Sequence, residues 1–148
     1  YKEDGSLYFG SVNVDPAYCS SKIGDAFFQA TIVPHMKERI IHAHCSLVQP
    51  IGAYYIESGF TGKSIYDAGG EPSIEITSDP QVSLESKSMS QSELLLLPIN
   101  EYMNGMKVMA FESQKEIESV LLQRNEIISR YFYNKENSKW IIVVEERE

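Results

Sequence analysis

Two histidines at alternate positions are the residues of this sequence most suited to metal chemistry. His42 and His44 flank Ala43, and residues two apart lie on the same face of a β-strand. Two imidazoles on one face can hold a metal, but a stable site needs at least a third ligand, which His35 or a carboxylate would have to supply. A metal-binding protein or metal-dependent enzyme using His42 and His44 is therefore one hypothesis. Two histidines that face solvent or make hydrogen bonds are the simpler interpretation.

The histidine pair also resembles the first histidine motif of the cupin family. That family has a glutamate where Gln49 stands here, and no second histidine motif follows. The sequence has no Gly-x-Ser-x-Gly nucleophile elbow, and the predicted strand places Cys45 on the opposite face from His44. We therefore predict no catalytic residue and no cofactor, and a binding protein is favoured over an enzyme.

A glycine-rich stretch follows at 59–70. The segment Glu57 to Ser64, which overlaps its start, ends like a phosphate-binding loop, but a carboxylate stands where that motif has its first glycine. The motif also needs a helix that aims its N–H groups at phosphate, and Gly69, Gly70 and Pro72 leave no room for one. Nucleotide binding is disfavoured for both reasons.

The same stretch is better suited to protein recognition. Serine, glycine, phenylalanine and tyrosine on an exposed loop provide hydrogen-bonding groups and rigid aromatic area. Ser58-Gly59 followed by an aromatic residue is similar to the Ser-Gly-Tyr loops of bacterial lysozyme inhibitors, over these few residues. A loop of that kind would act sterically, by covering the cleft of its partner. The candidate partner-binding residues are Ser58, Gly59, Phe60, Thr61, Lys63, Tyr66 and Asp67.

The cysteines bear on the compartment. Cys19 and Cys45 are an even number, which is compatible with one disulfide in an oxidising compartment, and two unpaired buried thiols are the alternative. The chain begins at Tyr1 rather than at a methionine, so either the chain was trimmed or a leader was removed. We expect a secreted or periplasmic protein whose leader has been removed. No apolar run is long enough to span a membrane, so membrane insertion is not predicted.

The charge of the chain limits its partners. The net charge is −8, with 13 basic and 21 acidic residues in 148. A nucleic-acid ligand needs a basic patch to neutralise its phosphates, and scattered basic residues do not supply one. Anionic membrane surfaces are disfavoured by the same argument. A basic protein partner is the natural complement, because opposite net charges accelerate encounter, although acidity that only keeps the protein soluble is an alternative.

These observations favour a secreted or periplasmic protein-binding module. An immunity protein, or an inhibitor that masks a basic cell-wall hydrolase or toxin effector, is the specific prediction. A further alternative is an accessory subunit or chaperone of a surface assembly, which would form oligomers, a homodimer included. The run Leu94 to Leu97 would then be an exposed apolar edge, although a strand buried on both faces also explains it.

The elements that must position these residues indicate an α+β fold in one domain over 1–148. Ser113 to Glu116 is a candidate capping box, and apolar residues then recur at helical spacing as far as Phe132. A long C-terminal helix is therefore predicted over about 114–133. Trp140 to Val144 is unbroken apolar and mostly β-branched, which is typical of a final central strand covered on both faces.

The rest of the chain has the pattern of short strands. The turn signal Asn104-Gly105 predicts a tight type I′ hairpin. The expected architecture is a mostly antiparallel, twisted sheet or partial barrel with the long helix packed across it. Strands are predicted over 6–14, 26–33, 39–49, 52–58, 73–77, 82–85, 94–99 and 106–111.

Overall fold

The computed structural model of the chain describes residues 4–9, 23–47, 50–121 and 126–146, and within them the fold is mixed α+β. The strands form one eight-stranded sheet. They are β1 (Leu7–Phe9), β2 (Ile41–Ser46), β3 (Thr61–Asp67), β4 (Pro72–Ser78), β5 (Tyr102–Met103), β6 (Met106–Phe111), β7 (Ile127–Asn134) and β8 (Lys139–Glu145). The α-helices are α1 (Ile23–Thr31), α2 (Val33–Met36), α3 (Pro50–Glu57), α4 (Gln91–Leu95) and α5 (Gln114–Leu121), and a 3₁₀ turn spans Glu85–Ser88.

The strand order places the end of the chain in the middle of the sheet. The order is β1-β2-β4-β3-β7-β8-β6-β5, so the β7–β8 hairpin lies between β3 and β6. β1 and β2 are parallel, and the other neighbouring pairs are antiparallel. β3 meets β7 at a single residue pair, Gly62 with Ile128. The sheet thus consists of two halves joined at a narrow seam.

Helices cover one face of both halves. Phe28 of α1, Ile56 of α3 and Ile117 of α5 are at most 2% exposed and pack with buried strand residues in the larger core. On the opposite face, Leu94 of α4 completes a second core with residues of β6, β7 and β8. Each fully buried aliphatic side chain contributes about 1.5–3 kcal/mol. The second half of the sheet is therefore covered on both faces, whereas the described helices cover only one face of β1 to β4.

The long helix predicted over 114–133 is wrong over 127–133. The described part of α5 spans Gln114–Leu121, and Ile127–Asn134 form β7. All residues from 128 to 132 are buried because β7 is covered on both faces, and a fully buried strand can imitate the spacing of a buried helix. Glu116 accepts a hydrogen bond from the backbone of Glu112 at 2.9 Å, one residue earlier than the predicted capping box requires.

Several predicted strands are also wrong. The ranges 26–33 and 52–58 fall on α1 with α2 and on α3, respectively, and 82–85 contains no strand. The range 94–99 begins in α4, and of its residues only Ile99 makes a bridge, to Val108. The true capping box is at Ser90, which accepts a hydrogen bond from the N–H of Glu93 and donates its own N–H to the Glu93 carboxylate. The stretch 59–70, predicted as a loop, contains β3.

Other predictions are confirmed. Strands are present as β2, β4, β6 and β8, and β8 is buried on both faces. Asn104 and Gly105 have φ angles of 52° and 79°, as a type I′ turn between β5 and β6 requires. The α+β class is therefore correct. Of the predicted strand 6–14, only residues 6–9 lie within the described residues, and Leu7–Phe9 of these form β1.

Candidate functional site

One face of β2, β3 and β4 presents polar side chains. In the pairing of β2 with β4, His42 lies opposite Thr77 and His44 lies opposite Glu75. Because successive side chains of a strand alternate between faces, Ile41 and the other intervening residues point into the core instead. We call this polar surface the open face. It comprises Tyr8, His42, His44, Thr61, Ser64, Tyr66, Glu75 and Thr77.

An open groove with a volume of about 900 Å³ begins at the open face. His42, Thr61 and Thr77 line it on the sheet side. Further lining comes from the segment 79–87, the Asn104–Gly105 turn and the end of β8. The groove is wide enough to receive several side chains of a ligand.

The lining of the groove combines apolar residues with carboxylates. Val82 is 55% exposed, and Leu84, two residues further along the chain, is half-buried. Asp79 is half-buried, whereas Glu85 and Glu146 are exposed, and we call these three residues the acidic rim. A rim of this kind favours a ligand with positive charge.

A buried ion pair fixes the segment that lines the groove. Arg130 of β7 donates from Nε and Nη2 to the carboxylate of Glu57 at 2.9 and 2.8 Å. Its Nη1 donates to the carbonyl oxygens of Ser86 and Met89 at 2.8 and 2.5 Å. Burial disfavours the ionised form of Glu57, but the hydrogen bonds and charge of Arg130 outweigh burial and lower the pKa of that carboxyl. We call this arrangement the arginine lock, since one side chain connects α3, β7 and the 3₁₀ turn.

Two further charges hold the same turn. The Glu145 carboxylate accepts hydrogen bonds from the backbone N–H of Glu85 at 3.0 Å and from the hydroxyl of Ser86 at 2.7 Å. Lys87 donates from Nζ to the carbonyl oxygen of Ile56 in α3 at 3.0 Å and to that of Phe60, just before β3, at 2.6 Å. Burial lowers the pKa of Lys87 to about 8. Glu145 and Lys87 thus make their hydrogen bonds within the protein. The acidic rim is therefore the main negative charge that the groove offers to a ligand.

Aromatic rings meet at the other end of the open face. The Nδ1 atom of His44 and the hydroxyl of Tyr66 are 2.8 Å apart, and their rings are nearly perpendicular, at 81°. The ring of Tyr8 lies 6.0 Å from that of His44. Glu75, opposite His44, accepts a hydrogen bond from Ser64 at 3.2 Å. We call Tyr8, His44, Tyr66 and Glu75 the tyrosine–histidine cluster.

The structure divides the predicted partner-binding residues among several environments. Gly59, Thr61 and Lys63 line the groove. Tyr66 belongs to the open face, two strands away from His44. Of the remaining three, Phe60 is fully buried in the core, Ser58 donates its hydroxyl to the carbonyl of Tyr54, and Asp67 accepts a hydrogen bond from Gly70 in the turn after β3.

The histidine pair does not have the surroundings of a metal site. His42 and His44 do share a strand face, as predicted. Among the described residues, however, no group of three histidine, cysteine, aspartate or glutamate side chains is placed to hold a metal ion. Metal binding by this pair therefore has no third ligand in the described part of the chain.

Only one of the two cysteines in the predicted disulfide lies within the described residues. Cys45 lies on β2 as a half-buried thiol, and burial raises its pKa to about 11. Cys19 lies outside the described residues. The pairing of Cys19 with Cys45 stays a prediction.

Sequence reasoning did not predict the residues that form the wall of the groove opposite the sheet. The arginine lock joins Glu57 to Arg130, which are far apart in the sequence, and the segment 79–87 was predicted to contain a strand. One signal was available: an arginine within the apolar and aromatic run of β7 needs a buried partner. The sequence does not identify that partner.

No helix in the described ranges has both the length and the apolar character needed to cross a bilayer. Comparison of the chain with protein-family models, with curated proteins and with solved structures gives no match.

Proposed function

We propose that this protein is a protein-binding module that masks a basic partner, as an inhibitor or immunity protein does. The observation that carries this proposal is the groove of about 900 Å³, in which the acidic rim lies beside the exposed Val82 and the half-buried Leu84. Protein interfaces commonly combine an apolar contact with surrounding polar groups. The net charge of −8 adds long-range attraction for a basic partner.

The mechanism would be steric. A protruding loop of the partner, carrying lysine or arginine beside an apolar residue, would lie in the groove against Val82 and the acidic rim. Burying that loop would remove it from its own substrate. Gly59, Thr61 and Lys63 would then be the members of the predicted partner-binding set that reach the partner in the groove.

The groove is built to be rigid. The arginine lock, together with Glu145 and Lys87, ties the 3₁₀ turn to α3 and β7 through charge-assisted hydrogen bonds. A wall that is already ordered loses little conformational entropy on binding. This supports recognition of a folded partner by a preformed surface.

The compartment belongs to the same proposal. A secreted or periplasmic inhibitor would meet cell-wall hydrolases or toxin effectors there. A disulfide between Cys19 and Cys45 would be consistent with that location. Mass spectrometry of the non-reduced protein would show whether the two cysteines are bonded.

Calorimetry with a panel of basic cell-wall hydrolases tests the proposal. The variant Asp79→Asn/Glu146→Gln removes two charges of the acidic rim, and Glu136→Gln removes one exposed charge in the turn between β7 and β8 as a matched control. Each rim charge should contribute about 0.2–1 kcal/mol, so the rim variant should bind about twofold to thirtyfold more weakly and with a smaller salt dependence. The proposal is wrong if no hydrolase binds, or if both variants bind like the native protein.

A second candidate function is an accessory subunit of an assembly, and one observation favours it. Leu96 is 86% exposed, and Ile99, Tyr102 and Met103 are 42–45% exposed near the edge strand β5. Exposed apolar patches of this kind often mark interaction sites. Light scattering of the native protein and of Leu96→Gln would show whether the chain forms a homodimer or larger oligomer through this edge.

A further inference from the structure

We propose that the tyrosine–histidine cluster is a recognition site for an arginine side chain of the partner. This inference rests on the proposed function, because it names one residue type that a basic partner would insert. It differs from the groove in position and chemistry. The site lies on the open face and uses aromatic rings with one carboxylate.

The geometry of the rings argues for a cation. The rings of His44 and Tyr66 are nearly perpendicular, at 81° with their centres 5.6 Å apart, and the ring of Tyr8 is inclined by 46° to that of His44. Rings at such angles present edges as well as faces to a ligand, rather than one flat platform. A sugar stacks best on a flat aromatic surface, whereas a guanidinium group can lie against one ring face while its N–H groups point to the side.

The polar groups of the cluster match a guanidinium group as well. The Glu75 carboxylate accepts one described hydrogen bond, from Ser64, and a carboxylate has about four acceptor positions. Glu75 is half-buried, so a charge placed beside it is partly shielded from solvent. The five N–H donors of arginine can reach a carboxylate and a phenolic oxygen at once, which a lysine ammonium does less well.

The position of the cluster fits a partner that already occupies the groove. His44 follows His42 by two residues along β2, and His42 lines the groove. Two residues along a strand correspond to roughly 6.6 Å. A peptide segment in the groove can therefore place an arginine side chain over the cluster without a change in direction.

The test uses a small probe, N-acetyl-L-arginine methylamide, followed by NMR of the His44, Tyr8 and Tyr66 ring resonances. Saturable shifts of these rings are expected, and the neutral citrulline analogue of the same shape should produce none. Glu75→Gln keeps a side-chain oxygen for Ser64 but removes the charge, and it should weaken the probe by about 1.5-fold to fivefold, in line with a partly exposed ion pair. Glu136→Gln, which removes an exposed charge in the turn between β7 and β8, is the matched control and should leave probe binding unchanged.

Two results would overturn the inference. One is shifts of equal size with the arginine and citrulline probes. The other is probe binding that Glu75→Gln leaves unaltered while thermal unfolding shows that the variant is folded. A hydrolase that binds the native protein and Glu75→Gln equally would also overturn it and would leave the proposed function standing. Conversely, saturable arginine binding with no hydrolase bound would support the site and count against the proposed function alone.

Discussion

Replacing Arg130 with methionine removes the centre of the arginine lock while nearly keeping the volume of the side chain. Glu57, whose side chain is 20% exposed, then loses its two charge-assisted hydrogen bonds, and the carbonyl oxygens of Ser86 and Met89 lose their donor. Breaking a buried ion pair by removing one partner costs about 3–5 kcal/mol. Because this pair is partly accessible, we expect the lower end, about 3 kcal/mol, out of a typical domain stability of about 5–15 kcal/mol.

Urea unfolding of the purified variants measures this loss. The matched control is Lys139→Met, which breaks the ion pair between Lys139 and Glu112 at side chains that are 33% and 68% exposed. An exposed pair contributes about 0–1 kcal/mol, so the control should unfold nearly like the native protein. A double variant, Glu57→Gln with Arg130→Met, should lose less than the sum of its single variants.

The pH dependence of the same variants gives a second readout. The folded-state pKa of Glu57 is lowered, so the unfolded state binds more protons in acid. The stability that the lock provides is therefore complete above the ordinary carboxyl pKa and is lost as the pH falls through the lowered value. If Arg130→Met costs less than the Lys139→Met control, or if its cost is the same at pH 7 and in acid, the lock does not stabilise the turn as argued.

Three further predictions follow from single residues. Burial lowers the pKa of Lys87 from 10.5 to about 8 in the folded protein, so between these pH values the unfolded state binds more protons. The free energy of unfolding should therefore rise with pH over this range, by up to about 3 kcal/mol relative to Lys87→Met in urea unfolding. A difference between the two proteins that does not change with pH would contradict this. A Cβ atom on Gly62 would lie 2.6 Å from Cδ1 of Ile74 and 3.0 Å from Cβ of Ile128, which cannot rotate away. Gly62→Ala should therefore destabilise by about 1–3 kcal/mol in urea unfolding, and an unchanged midpoint would refute the close contact. In a Cys19→Ser variant, the Cys45 thiol, with a pKa near 11 instead of 9.0, should react with iodoacetamide at pH 8 about 100-fold more slowly than an ordinary cysteine, and a normal rate would show that it is not buried.

Sequence reasoning succeeded where one physical factor dominates locally. β4 alternates apolar and polar residues because one face is in the core and the other is open, and Asn104-Gly105 adopts the positive φ angles that few other residues tolerate. β8 was predicted from its unbroken apolar run, since that run is too short for an ordinary helix.

Sequence reasoning failed where an element is buried on both faces, because the alternation of apolar and polar residues that identifies a strand is then absent. β7 contains β-branched and aromatic residues at 127–133, which favour a strand, but its continuous burial was assigned to a helix. The range 52–58 was predicted as a strand but lies in α3, and the packing that decides between the two comes from distant residues such as Phe28. The groove could not be predicted for the same reason, since its lining comes from segments that meet only when the sheet is complete.

The central position of the β7–β8 hairpin has a consequence for how the molecule is made. The ribosome synthesises β3 and β6 before β7 and β8, the two strands that lie between them in the sheet. One edge of β3 and one edge of β6 therefore remain unpaired while β7 and β8 are synthesised. The two halves of the sheet cannot join until β8 has emerged. Folding of the nascent chain therefore depends on this late insertion. A protein truncated before β8 would have two unpaired strand edges, on β7 and on β6, rather than merely lack one dispensable strand.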